Sequence, residues 1–229
     1  MQLKDKRIII TGGFGTLGAA VVRAALAAGA RVAAVDRADA PHPAADLGEA
    51  RCFGGVDLAD ADQARTTIDS AAQALGGLDA LINIAGAFRW ETLAEGKLDT
   101  WDLLYRINLR TAVAASQAAL PHLGAGGRII NIGAASALKA GAGVGPYTAS
   151  KSGVMRFTES LAEELKARDI TVNAILPSII DTPPNRADMP KADFGKWVKP
   201  EQLADVILFL ISDQASAITG ALIPVTGRV

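Results

Sequence analysis

A tyrosine and a lysine four residues apart are the side chains of this sequence whose types and spacing most directly suggest chemistry. They lie in the segment GPYTASK, residues 145–151, and Tyr147 is one of two tyrosines in the chain. On a helix, positions i and i+4 share a face, so Tyr147 and Lys151 would be neighbours. A neighbouring ammonium lowers the pKa of a phenol, which is about 10 in isolation, towards neutrality. The pair is therefore either a general acid–base device or an exposed pair on an amphipathic helix.

A glycine-rich segment near the start of the chain is typical of a nucleotide site. In TGGFGTLG, residues 11–18, Gly13, Gly15 and Gly18 satisfy the pattern G-x-G-x-x-G between a predicted strand and a predicted helix. Glycines let the backbone approach a pyrophosphate, whose charge the start of a helix stabilises. The alternative is a tight turn between strand and helix without a ligand.

The end of the next predicted strand indicates which dinucleotide would bind. Asp36 lies where a carboxylate accepts hydrogen bonds from the adenosine ribose, and it would repel a 2′-phosphate. The alternative is a solvated residue at the end of a strand. Arg37 would attract that phosphate. We expect a preference for NAD(H) over NADP(H), with NADP(H) not excluded.

The elements that must position these residues alternate along the chain. Short β-branched runs predict strands, and longer patterns between them predict helices. The predicted strands are 7–10, 31–35, 51–55, 78–84, 127–132, 170–176 and 221–225; the predicted helices are 16–28, 60–75, 99–120, 147–168 and 200–212. Regular alternation predicts an α/β fold with one parallel sheet and helices on both faces, as a single domain over residues 1–229. The irregular, proline-rich stretch 177–199 is expected to be a lid over a substrate.

Composition excludes several classes of function. The 23 lysines and arginines nearly balance the 24 acidic residues, and the net charge of −1 gives no sign of nucleic-acid binding or of a membrane surface. The single cysteine, Cys52, cannot form an intrachain disulfide and has no ligand cluster around it, so we expect no metal site. Arg23 and Arg31 interrupt the alanine-rich stretch 19–35, so we do not expect it to span a membrane. The apolar run at the start of the chain is too short for a signal peptide. We expect a cytoplasmic protein with a small-molecule substrate.

The order of the motifs resembles that of the short-chain dehydrogenase/reductase family over essentially the whole chain. These motifs are TGGFGTLG, NIAG at 83–86, Asn108 within YRINL, and YTASK. The resemblance implies a Rossmann-type, doubly wound sheet of about seven strands and hydride transfer with a nicotinamide. It implies that Tyr147 is the proton donor, that Lys151 holds the nicotinamide ribose and lowers the tyrosine pKa, and that Asn108 anchors a relay water.

The resemblance also implies a homodimer or homotetramer. The predicted helices 99–120 and 147–168 would pair with their copies in another subunit. The second helix carries an apolar stripe, which either joins that interface or faces the sheet: Val154, Phe157, Leu161 and Leu165.

The expected cofactor site gathers residues from the glycine loop and from the ends of the predicted strands. Asp57 either faces the adenine amino group or caps the helix that begins near Asp60. Asn83 either approaches the cofactor or braces neighbouring strands. The full set is Gly12, Gly13, Phe14, Gly15, Thr16, Leu17, Gly18, Asp36, Arg37, Asp57, Leu58, Asn83, Ala85, Gly86, Tyr147, Lys151, Pro177 and Ile180.

Two positions depart from the family pattern. Ala134 occupies the place of the family's usual serine, which hydrogen-bonds a substrate carbonyl, and Ser136 is the candidate replacement; Thr16 occupies the place of a glycine. Both departures, together with the segment 181–197, resemble the dihydropteridine reductase branch. A quinonoid dihydropterin needs no donor for a tetrahedral alkoxide, so the branch implies a conjugated or planar substrate.

Two other functions stay open. One is a ketone or 3-oxoacyl-thioester reductase in which Ser136 or water replaces the serine. The other is a catalytically idle nucleotide-binding regulator, against which the presence of Asn108, Tyr147 and Lys151 argues. The candidate pocket aromatics are Phe88, Trp90 and Trp197, each of which would otherwise be a core residue.

Overall fold

Seven parallel strands form one sheet in the order β3-β2-β1-β4-β5-β6-β7. The computed structural model describes residues 3–42 and 45–229, so the first two residues of the segment considered above as a signal peptide lie outside it. The strands are β1 (Arg7–Thr11), β2 (Arg31–Val35), β3 (Arg51–Phe53), β4 (Leu78–Asn83), β5 (Leu123–Ile132), β6 (Thr171–Pro177) and β7 (Leu222–Val225). The predicted α/β fold with a doubly wound parallel sheet is confirmed.

Helices cover both faces of the sheet. They are α1 (Thr16–Ala27), α2 (Ala61–Leu75), α3 (Leu98–Leu104), α4 (Thr111–Ala119), α5 (Gly145–Leu165), α6 (Pro183–Asp188) and α7 (Pro200–Ile211). The predicted helix 99–120 is divided, because a π-helical segment, Tyr105–Arg110, separates α3 from α4. None of the helices in the described part of the chain has the length and apolarity needed to cross a membrane.

Alternation along β1 shows why these runs form buried strands. Successive side chains point to opposite faces, and Ile8 and Ile10 join the core under α1 and α7, whereas Ile9 joins the core under α2 and α5. Because both faces are covered, the strand is apolar throughout rather than alternating with polar residues. All seven residues of β6 are buried for the same reason.

The N-terminal cap of α2 shows whether Asp57 caps this helix, an alternative that the sequence left open. Asp60 is the N-cap of α2, and its Oδ1 accepts hydrogen bonds of 3.0 Å from the backbone nitrogens of Asp62 and Gln63. Gly76 ends the helix with a φ of 78°, a left-handed conformation that favours glycine. Asp57 is therefore not the cap of this helix.

The sheet order creates a crevice at its carboxyl edge. The chain leaves β1 towards β2 and β3 on one side and resumes with β4 on the other, so β1 and β4 are the neighbours at which the direction reverses. Ligands of doubly wound folds bind in the crevice at this point. The Thr11 Oγ1 at the end of β1 accepts from the backbone nitrogen of Ile84 at 3.1 Å, which joins the ends of β1 and β4.

The apolar stripe on α5 packs within the chain. Val154 is buried, and Leu161 and Leu165 lie in the core under α2 and α5, with Phe157 packed against it. The stripe thus faces the sheet of its own subunit. Self-association through the helices stays a prediction from the family resemblance.

The irregular segment after β6 has defined structure of its own. Thr182 Oγ1 caps α6 by accepting from the Asn185 nitrogen, and Arg186 Nη2 donates to Asp181 Oδ2 at 2.7 Å. The two ends of the segment meet where Asp181 N donates to Val198 O at 2.8 Å. Its role as a substrate lid stays a prediction.

Candidate active site

The glycine loop forms one wall of a cleft of about 960 Å³ at the carboxyl edge of the sheet. Gly12 has a φ of 66°, and a Cβ there would lie 2.8 Å from the Ala85 nitrogen. A Cβ at Gly18 would overlap the Gly12 oxygen, so the start of α1 packs directly on the loop. Only glycine permits these approaches. Six of the seven expected loop residues line the cleft, namely Gly12, Phe14, Gly15, Thr16, Leu17 and Gly18.

Gly13 has a different role from its neighbours. A Cβ at this position would lie 2.7 Å from the Cβ of Ala34 on β2. Gly13 is thus needed for packing of the loop against the sheet, and it is not among the residues that line the cleft.

The carboxyl end of β2 supplies the acidic residue of the cleft. Asp36 Oδ2 accepts from the backbone nitrogen of Phe14 at 2.9 Å, and Oδ1 accepts from that of Ala38 at 3.0 Å. These bonds fix the carboxylate against the glycine loop. Arg37 is exposed and lines the same part of the cleft.

Asp57 lies in the cleft, on the side of β2 and β3. Its Oδ2 accepts from Nη2 of Arg106 at 2.7 Å, and its Oδ1 accepts from the backbone nitrogen of Ala59 at 3.0 Å. Leu58 is buried beside it and also lines the cleft. The sequence motifs do not predict the contact between Asp57 and Arg106, because the two residues are distant in the chain.

Asn83 braces the sheet instead of lining the cleft. Its Nδ2 donates to Asn131 Oδ1 on β5 at 2.9 Å and to Ser116 Oγ on α4 at 3.0 Å. The side chain is buried between these elements. The interpretation as a cofactor contact is therefore corrected to the alternative, a brace between neighbouring strands.

Tyr147 and Lys151 lie one turn apart on α5, and both line the cleft. The Tyr147 ring meets the ring of Phe88 edge to face, with the centroids 4.9 Å apart. The Lys151 side chain is buried, and its Nζ donates to the Ile132 carbonyl at the end of β5 at 2.8 Å. The pair is thus not an exposed pair on an amphipathic helix.

Burial dominates the acid–base properties of the pair. It raises the pKa of the Tyr147 phenol to about 12, because the phenolate loses solvation. It lowers the pKa of the Lys151 ammonium to about 8, for the same reason applied to a cation. The sequence predicts a lysine that lowers the tyrosine pKa. In the structure the ammonium is bound to the Ile132 carbonyl, and burial is what raises the pKa of the phenol. That Lys151 lowers the tyrosine pKa stays a prediction.

Asn108 lies in the π-helical segment, and both atoms of its side-chain amide bond to other parts of the chain. Oδ1 accepts from the Ala87 nitrogen at 2.7 Å, and Nδ2 donates to the Ala87 oxygen at 3.0 Å and to Ser150 Oγ at 2.9 Å. A Cβ on Gly86 would lie 2.7 Å from Asn108 Oδ1 and 3.3 Å from Lys151 Nζ. The two hydrogens of Nδ2 are thus both committed to the chain, and a relay water at Asn108 stays a prediction.

Ser150, within YTASK, contacts residues of the site, although the sequence motifs did not predict a role for it. It is buried, it accepts from Asn108, and its Oγ donates to the Tyr147 carbonyl at 2.7 Å. It connects the turn of α5 that carries the tyrosine with the π-helical segment.

The position of the missing serine is filled by a methyl group. Ala134 is buried after the end of β5. Ser136 lies on a short 3₁₀ turn, Ala135–Ala137, is exposed, and is not among the residues that line the cleft. The Ser136 side chain thus lies outside the cleft that Tyr147 lines, and its role as a replacement donor stays a prediction.

Of the three candidate aromatics, only Phe88 lines the cleft. Trp197 is buried against Phe194, with ring centroids 4.8 Å apart. Trp90 packs on Gly143, where a Cβ would overlap the indole. The remaining expected cofactor residues, Ala85, Gly86, Pro177 and Ile180, line the cleft.

Comparison with known proteins identifies the family. The family described as enoyl-(acyl carrier protein) reductase matches residues 14–227. The 3-oxoacyl-(acyl-carrier-protein) reductase FabG of Thermotoga maritima is 32% identical over 242 residues, which cover 99% of this chain and 98% of that protein. The chain belongs to the short-chain dehydrogenase/reductase family.

Solved structures agree with this family assignment. A short-chain dehydrogenase/reductase from Serratia marcescens has a TM-score of 0.90 and 32% identity, covering 100% of this chain and 99% of its own. One from Burkholderia cenocepacia in complex with NADP has a TM-score of 0.87 and 33% identity, covering 99% of this chain and 98% of its own. The protein is thus an oxidoreductase of a family that binds NAD(P).

The residues of the cleft fit a nicotinamide dinucleotide. The close-packed glycine loop at the start of α1 suits a pyrophosphate. Asp36 and Asp57 place acceptors after β2 and β3, where the adenosine is expected, whereas Tyr147 and Lys151 lie on α5, where the reaction is expected. We call these the adenosine half and the reaction half of the cleft of this short-chain dehydrogenase/reductase.

Proposed function

We propose that this protein transfers hydride from NADH to a small, planar, conjugated substrate, with Tyr147 as the proton donor. The observation that carries the proposal is the pair of half-buried Tyr147 and buried Lys151 in the cleft, with the methyl group of Ala134 where a serine hydroxyl would polarise a carbonyl. A carbonyl substrate benefits from a donor at the developing alkoxide. A conjugated, imine-like substrate spreads its charge and needs that donor less.

The charge distribution of the cleft supports an uncharged substrate. Among the charged described residues that line it, Asp36, Arg37, Asp57 and Arg106 lie towards the adenosine half. Only Lys151 lies at the reaction half. Phe88 packs on Tyr147, and the apolar residues Pro177, Ile180 and Pro184 also line the cleft. A flat ring would stack on or against Phe88.

The chain's own residues provide binding and proton transfer. The bound nicotinamide supplies the hydride. The phenol of Tyr147, with a pKa of about 12, is protonated at neutral pH and can donate its proton to the reduced substrate. Lys151 is charged below its pKa of about 8 and stabilises the phenolate that remains. Asn108 and Ser150 hold the turn of α5 that carries the tyrosine.

A second candidate function is reduction of a ketone or a 3-oxoacyl thioester. The FabG relative from Thermotoga maritima, whose name states that activity, supports it. In this case water would have to polarise the carbonyl, since Ala134 provides no hydroxyl.

Turnover with NADH across quinonoid dihydropterins, quinones and simple ketones tests the proposal. We expect kcat/KM to be highest for the conjugated substrates. Ala134→Ser should change these values little but should raise kcat/KM for a ketone about tenfold, because the added hydroxyl donates to the alkoxide. Steady-state kinetics of both proteins with both classes give the answer. Faster reduction of ketones than of any conjugated substrate by the wild type would favour the second candidate.

Ser136→Ala is the matched control for this comparison. Because Ser136 is exposed outside the cleft, its loss should leave both substrate classes unaffected. If Ser136→Ala abolished ketone reduction while Ala134→Ser had no effect, Ser136 would be the working donor.

The choice of cofactor gives a separate prediction. We expect NADH to bind more tightly than NADPH, because the Asp36 carboxylate is fixed at the adenosine half and repels a 2′-phosphate. Asp36→Ala should reduce the ratio of the affinities for NADH and NADPH at least tenfold, because it improves NADPH binding and weakens NADH binding. Calorimetric titration with both cofactors measures this. Equal affinities in the wild type, or tighter NADPH, would contradict the prediction.

A further inference from the structure

An ion pair at the adenosine half of the cleft joins two parts of the chain that no motif connects. Arg106 on the π-helical segment donates from Nη2 to Asp57 Oδ2 at 2.7 Å, and both residues line the cleft. The other carboxylate oxygen accepts from the Ala59 nitrogen at 3.0 Å. Among the residues that the structure describes, each oxygen of Asp57 thus has one partner, which holds the carboxylate in one orientation.

This orientation leaves acceptor capacity for a ligand. A carboxylate oxygen offers two lone pairs, so each oxygen of Asp57 can accept one further hydrogen bond. Adenine carries an exocyclic amino group that donates, whereas a 6-oxo purine carries an acceptor at the same place. A carboxylate that is already fixed loses less conformational entropy when it binds such a donor.

We propose that Arg106 is a positioning residue for the adenine ring: it holds Asp57 towards the amino group of the base and makes the site select adenine over a 6-oxo purine. The side chain of Arg106 is 56% exposed, so it forms the outer wall of this part of the cleft. The proposal rests on dinucleotide binding alone and is independent of the substrate proposed above.

The same π-helical segment provides a matched control. Arg110 donates from Nε to the Ala59 carbonyl at 2.7 Å, so it anchors the same loop after β3. It is not among the residues that line the cleft. If anchoring of the loop were the whole role of Arg106, the loss of either arginine would have the same effect.

Calorimetric titration with ADP-ribose, and with its analogue in which hypoxanthine replaces adenine, tests the proposal without any turnover. We expect Arg106→Met to lower the affinity for ADP-ribose about five- to tenfold, which corresponds to about 1–1.4 kcal/mol of binding free energy. It should reduce the preference for adenine over hypoxanthine at the same time. Arg106→Lys, which keeps a cation near Asp57, should retain most of both the affinity and the preference. Arg110→Met should stay within about twofold of the wild type in its affinity for ADP-ribose and in its preference for adenine.

Three results would overturn the proposal. The first is an unchanged affinity of Arg106→Met for ADP-ribose. The second is an equal loss in Arg106→Met and Arg110→Met, which would show that the arginines only anchor the loop. The third is an adenine preference that Arg106→Met leaves intact. Each result bears on Arg106 only, whereas failure of the proposed reaction would appear in the turnover experiments.

Discussion

Tyr147→Phe should lower kcat/KM for a ketone by about 10² to 10⁴, the range for loss of a positioned general acid. Tyr147 is half-buried in the cleft, and Lys151 is the other ionisable residue of α5 that lines it. That ammonium is bound to the Ile132 carbonyl, so it is a poor substitute as a proton donor. With a quinonoid substrate the loss should be milder, about tenfold, because such compounds take protons from water. Steady-state kinetics with one substrate of each class measure both values.

Tyr105→Phe is the control for this substitution. Tyr105 is the other tyrosine of the chain, and it is exposed at the start of the π-helical segment. Removal of its hydroxyl should change kcat/KM less than twofold. A Tyr147→Phe protein with unaltered ketone reduction would show that the proton comes from elsewhere, and the catalytic assignment would be wrong.

Lys151→Met should stabilise the protein at pH 7 while it impairs catalysis. The pKa of Lys151 is about 8 in the folded protein, against 10.5 for a fully solvated lysine, the value that applies to the unfolded chain. Between these values the unfolded chain binds a proton that the folded protein does not, so wild-type stability falls as the pH drops from 10.5 to 8 and stays lowered below 8. The cost at pH 7 is about 3 kcal/mol. Lys151→Met removes this cost, but it also removes the hydrogen bond to the Ile132 carbonyl, which offsets about 1 kcal/mol of the gain in stability.

Urea unfolding at several pH values measures this effect. Lys151→Met should be more stable than the wild type by about 2 kcal/mol at pH 7, and the advantage should vanish as the pH approaches 10.5. Its kcat/KM should fall about 10²-fold, since the phenolate loses its nearby cation. Lys166→Met is the control: Lys166 is exposed and paired with Glu163, so its replacement should change stability by less than about 1 kcal/mol. A variant that is less stable than the wild type at pH 7 would contradict the prediction.

Much of the candidate site was predictable because it depends on local sequence. Gly12 and Gly18 lie where close approach permits only glycine, and the glycine pattern alone indicates such a loop. Asp36 ends a strand in a pattern that predicts a ribose contact. Tyr147 and Lys151 share a face because the helix repeat requires it. These inferences need only the backbone geometry of one or two successive elements.

Other residues could not be placed in this way, because their partners are distant in the chain. Asn83 has the right position for a cofactor contact, but its amide nitrogen donates to Asn131 and Ser116 on other elements. The pairing of Asp57 with Arg106 connects a loop after β3 with the π-helical segment. Neither partner follows from spacing, since each depends on how the helices pack on the sheet.

The sequence by itself determined the α/β fold, the glycine loop, Asp36 and the shared face of Tyr147 and Lys151, because each depends on local periodicity or turn geometry. The tertiary structure decided how deeply the two catalytic candidates are buried and what binds them. Burial shifts the pKa of Tyr147 to about 12 and that of Lys151 to about 8, opposite to the tyrosine shift that the pair alone predicts. Loss of solvation is a property of the assembled core, to which many elements contribute, so no short segment encodes it.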